Sequence, residues 1–140
     1  MLHLFHPGLV HLSVAFLVVG GCVESLAVLA RREPLTRWGG SLVAIGLASL
    51  VLTIASGYLA ANSVTLPAGT AGLLATHERN GWILLGLAFA AVFWKAWGGG
   101  RPPERHRLLY AALLGAVVAL TVYEAWLGGS MVYAHRIGVR

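Results

Sequence analysis

Charge is what this sequence has least of. Only 11% of its 140 residues are Asp, Glu, Lys or Arg, and just five are acidic, whereas an average soluble domain carries about 25% charged residues. That scarcity excludes an ordinary water-facing surface. Cysteine is nearly absent too: Cys22 has no partner in the chain, which excludes an intramolecular disulfide and leaves the redox compartment unreadable from cysteine usage. The chain also lacks a P-loop, a dinucleotide fingerprint, a nucleophile elbow and a convincing internal repeat, so no hydrolytic or group-transfer constellation is visible.

What is there is apolar. Hydrophobic residues make up 58% of the chain, and four stretches, about 9–30, 39–61, 78–97 and 108–127, approach or reach the roughly 20 residues that cross a bilayer at about 1.5 Å per residue. The first has no basic stretch ahead of it and exceeds the apolar core of a signal peptide, so it is expected to be a mature helix. The fold class that follows is all-α: an integral membrane four-helix up-down bundle forming one domain over residues 1–140.

The basic residues set the expected orientation. Arg31, Arg32 and Arg37 fall between the first and second stretches, and Lys95, Arg101, Arg105 and Arg107 between the third and fourth. Seven of ten thus lie at two links on one side, which the positive-inside rule makes cytoplasmic, with both termini periplasmic. The same distribution argues against nucleic acid as a partner. Of the remaining segments, NSVTLPAGTAGLLATHER reads as an outer loop with one short interfacial helix, and the glycine pair Gly128 and Gly129 as the end of helix four.

Five of six histidines, His3, His6, His11, His77 and His135, then fall at the outer face, with His106 alone at the other. His11 and His77 sit in the first turns of helices one and three, above strips of small residues: Ala15, Val18, Cys22 and Ser25 below His11, and Gly81, Leu84, Ala88 and Ala91 below His77. Two imidazoles at one depth over narrow strips suit the axial ligation of a flat macrocycle, haem b, with Arg79, Arg136 and Tyr133 beside it and the arginines paired to propionates. His6 and His11 differ by about 140° and 7.5 Å on a continuous helix and are not a chelating pair. His6 is expected outside the helix, pointing to the tail that carries His135, either as part of a lid or as ligand to a second haem or a metal.

Copper or zinc on His6, His11, His77 and His135, with Met131 or a glutamate, is the alternative cofactor reading, and a purely structural membrane subunit is the third. Glu24 and Glu124 lie within apolar spans as proton-handling or partnered structural acids. Trp82, Trp94, Trp97 and Trp126 read as an aromatic belt. The small residues Gly46, Ser49, Thr53, Ser56, Gly57 and Ala60 of helix two form one packing stripe.

The opening HPGLVHLSVAF, the ASGYLA of helix two, the histidine of ATHERNG and the closing GGSMVYAHRIGV resemble the landmarks of the bacterial membrane proteins catalogued as domain of unknown function 2231. The positions that carry the resemblance are His6, Pro7, His11, His77, Gly128, Gly129, Tyr133 and His135; Leu12 and Ser13 stand where the family has a proline two residues after its second histidine. What the resemblance implies is a multi-pass protein of the bacterial inner membrane, sometimes joined to or encoded near periplasmic c-type cytochromes. It implies no activity. The expectation for function is therefore a membrane cytochrome with one haem or two, passing electrons at the periplasmic side. Its partners are the bilayer and a c-type cytochrome or other redox protein, self-association into a homo-oligomer is left open, and a substrate of its own is not assigned.

Overall fold

The computed structural model describes residues 5–138. Four long helices account for most of them: α1 (Phe5–Leu29), α2 (Glu33–Ala61), α3 (Ala71–Trp97) and α4 (Arg107–Tyr133). All four are long and apolar enough to cross a membrane. They form a ring in which α1 packs on α2 and α4, and α3 on α4 and α2. Helices α1 and α3 therefore face each other diagonally across the interior.

The helices outrun the apolar stretches because hydropathy marks the part that sits in hydrocarbon, whereas backbone hydrogen bonding continues into the headgroup region. α3 begins at Ala71, so the second half of the expected outer loop is helical and the link shrinks to residues 62–70. α4 runs straight through Gly128 and Gly129 to Tyr133. α1 already includes His6, which is thus a helix residue and not a cap. His3 lies outside the described residues.

The turns follow from local chemistry. Between α1 and α2, Arg31 takes a left-handed φ of 54° while Arg32 N–H donates back to Ala27 O at 2.8 Å, and Pro34 then starts α2 where its missing N–H costs nothing. After α3 the run Gly98, Gly99 and Gly100 provides positive φ at its last two members, 70° and 81°. Pro102 and Pro103 block further helix, and a single 3₁₀ turn, Glu104–His106, leads into α4.

The tightest seam joins α1 and α2. A Cβ on Gly39 would lie 2.6 Å from Glu24 N, and one on Gly20 2.8 Å from Val43 N. Backbones meet there with no side chain between them, the small-residue packing that helices use in lipid. Around this seam Leu17, Leu50, Leu84, Ala88, Leu114 and Val117 fill the middle of the bundle. The outside is apolar as well: Trp97, Trp38, Leu26, Phe5 and Trp126 are among the most exposed large side chains, as a lipid-facing surface requires. Trp94 departs from the expected belt. It is half-buried and meets Tyr110 edge-on at 5.9 Å.

Candidate functional site at the outer end

Two histidines on diagonal helices are brought to one level. α2 runs antiparallel to both α1 and α3, and Trp82 Nε1 donates to Tyr58 Oη at 3.0 Å, while a Cβ on Gly81 would sit 4.0 Å from Ile54. His77, one turn before Gly81, is thereby level with about residues 57–58 of α2. His6 abuts the same stretch from the other side: its Nδ1 lies 3.0 Å from Ser56 Oγ, and a Cβ on Gly57 would come 3.0 Å from its Cε1.

An oxygen stands at the Nδ1 edge of each ring. Ser56 Oγ donates its one proton to Thr53 O at 2.9 Å, so His6 Nδ1–H is the donor to Ser56 and Nε2 keeps its lone pair. His77 Nδ1 stands 2.6 Å from Glu124 Oε2, and Asn80 Nδ2 donates to the other oxygen of Glu124 at 3.0 Å. The His77 contact is an ion-pair distance without hydrogen-bond geometry, and it sets the Nδ1 edge of the His77 ring toward α4. Each ring thus has an oxygen neighbour at Nδ1 and a glycine beside it. For His77 that glycine is Gly128, since a Cβ there would lie 3.5 Å from His77 Cε1.

The remaining candidates are placed differently. His11 is exposed, with Nδ1 turned back to Pro7 O, and the strip below it lies largely away from the core, with Ala15 and Cys22 exposed. The interior face of α1 is Ser13, Leu17, Gly20, Glu24 and Ala27, which lies beneath His6. The structure therefore sets His6, and not His11, on the interior face of α1, at about the level of His77. The strip below His77 is as expected: Leu84, Ala88 and Ala91 are buried. Arg79 is exposed and reaches Asn80 Oδ1 at 3.4 Å. Tyr133, His135 and Arg136 are exposed at the end of α4 and do not close over His6. Met131 is buried as a packing residue.

A second polar cluster occupies the opposite end. Glu24 is 1% exposed, and its Oε1 accepts from Lys95 Nζ and from Tyr110 Oη at 3.1 Å. Lys95 Nζ also donates to Thr36 O. Lys95, expected in a cytoplasmic link, is a buried member of α3, and six basic residues remain around the two short connections. The signal was present: a lysine before Trp97 and a glutamate near the end of α1 lie at the same depth in apolar surroundings.

Four membrane-length helices, with a polar cluster at the end that carries His6 and His77, define a multi-pass membrane protein. The chain belongs to the family described as "Predicted membrane protein (DUF2231)", whose profile matches residues 2–140. No curated protein and no solved structure matches it.

Proposed function

We propose that the protein is a small b-type cytochrome of the bacterial inner membrane that holds one haem at its outer end between His6 and His77 and exchanges electrons with a periplasmic redox protein. The observation that carries this reading is the pair of imidazoles at one level on diagonal helices, each with an oxygen beside its Nδ1, Ser56 Oγ for His6 and Glu124 Oε2 for His77. When bound, haem supplies a one-electron iron couple set by its axial ligands. Glutamate on His77 makes that imidazole a more basic donor, Gly57 and Gly128 leave room beside the rings, and Arg79 is at hand for a propionate.

A haem asks for only two protein ligands. A bare zinc site is usually built from three or four, and among the described residues no three His, Cys, Asp or Glu side chains converge. That favours the macrocycle over copper or zinc. With His6 already assigned to this haem and His135 exposed, the reading is of one haem.

Protein purified from cells supplied with haem should show a Soret band that shifts on dithionite reduction. Alanine at His6 or at His77 should abolish the low-spin spectrum or convert it to high-spin, while His11→Ala should leave it intact. A chain without chromophore, or spectra unchanged in both variants, would overturn the assignment.

The orientation belongs to the same proposal. Arg31, Arg32, Arg37, Arg101, Arg105 and Arg107 cluster around the α1–α2 and α3–α4 connections, which supports a cytoplasmic position for those ends and an outside position for both termini. Alkaline phosphatase fused after residue 140 should be active. A silent phosphatase with a fluorescent cytoplasmic reporter at the same place would put the histidines inside.

A further inference from the structure

At the end of the bundle that carries Lys95, a groove of about 300 Å³ opens between α2 and α3, at the lower end of the range of small-molecule sites. Glu24, Lys95 and Tyr110 line its floor, Arg37 stands at its mouth, and Ala44 and Val92 line its sides. Gly40 keeps the floor accessible to the lysine, because a Cβ there would meet Lys95 Nζ. The exposed positions Ala44 and Ala96 lie on the lipid-facing side of the same opening.

The floor is incompletely satisfied. Both donors to Glu24 go to Oε1, and Oε2 is buried with no hydrogen-bond partner among the described residues. A buried acceptor left unpaired is costly in a low-dielectric interior. The terminal torsion of a glutamate is broad, so a partial turn of the carboxyl can leave Oε1 to Lys95 and Tyr110 while Oε2 meets the groove. What it lacks is a hydroxyl donor.

Charge selects the kind of ligand. Glu24 already neutralises Lys95, so an anion entering the floor would meet an unpartnered carboxylate oxygen. A neutral molecule with a hydroxyl to give and an oxygen to accept from Lys95 or Arg37 fits both needs. The small side chains along the walls suit a flat ring, and the opening between α2 and α3 leaves a path for an apolar tail into lipid. We propose that this groove binds the headgroup of a membrane quinol, with a ring hydroxyl donating to Glu24 Oε2 and an oxygen accepting from Lys95 or Arg37. Glu24 lies eighteen residues from His6 on α1, about 27 Å along the helix, so the site does not depend on a haem at the outer end.

Calorimetric titration of the detergent-purified full chain with an anaerobic, fully reduced decyl-benzoquinol should give saturable one-site binding. Ala96→Trp plugs the opening from the lipid side without touching the triad and should weaken binding tenfold or more. Ala112→Trp, on the exposed side of α4, should not. The double variant Glu24→Gln with Lys95→Met, folded by circular dichroism, should also lose binding, since it removes the polar floor. Three results would overturn the proposal: no saturable heat in the wild type, equal binding in the wild type and Ala96→Trp, or displacement of the quinol by phosphatidylglycerol at matched detergent fraction, which would make the groove an anionic-headgroup site. None of these outcomes bears on the Soret spectrum.

Discussion

Lys95→Met is expected to destabilise the bundle by about 3–5 kcal/mol, the cost of leaving one charge of a buried pair without its partner. Glu24 is essentially inaccessible and depends on Lys95 and Tyr110 for every hydrogen bond it makes. The double variant Glu24→Gln with Lys95→Met should recover most of the loss, because replacing both members of a buried ion pair is far milder than removing one. Denaturant-induced loss of helicity in mild detergent, compared across the wild type, the single variant and the double variant, reads out both effects. A single variant as stable as the wild type would mean that Glu24 is neutral in the folded bundle.

The second large effect belongs to the α1–α2 seam. Gly39→Ala places a methyl 2.6 Å from the backbone nitrogen of Glu24, and Gly20→Ala places one 2.8 Å from that of Val43. Backbone cannot rotate aside as a flexible side chain can, so the helices must separate, at about 1–3 kcal/mol for each substitution. Gly86 and Gly115 have open space around the same added atom, and alanine there should be neutral or stabilise by up to about 1 kcal/mol through helix propensity. The same unfolding measurement on all four variants tests the contrast, and equal effects at all four sites would remove the seam as the origin.

The four-helix architecture was legible because long apolar runs and short basic links are strong signals, and both act over whole segments. Helix ends were less so. Residues 71–77 and Gly128 to Tyr133 contain glycines and polar groups that read as loop, yet they are helical in the structure, since a helix already paid for in its middle extends by one hydrogen bond per residue. The site was half legible. The strip under His77 follows directly from helical spacing, but the choice between His6 and His11 turned on which face of α1 meets α2, and small residues such as Ala15, Val18 and Cys22 do not identify a buried face when the lipid-facing side is equally apolar. The contact of Asn80 with Glu124 spans 44 residues, and no local pattern encodes it.

The buried layer of Leu17, Leu50, Leu84, Ala88, Leu114 and Val117 separates the two polar clusters. In electrical terms it is an insulator. It offers no titratable side chain to relay a proton, and a membrane voltage falling across it is worth about 2.3 kcal/mol per elementary charge per 100 mV. Charge placed at one end is therefore separated from the other end by this apolar layer. A substitution that wets this layer, such as Leu114→Asp, would turn the bundle from a capacitor into a leak, detectable as collapse of a pH gradient across proteoliposomes.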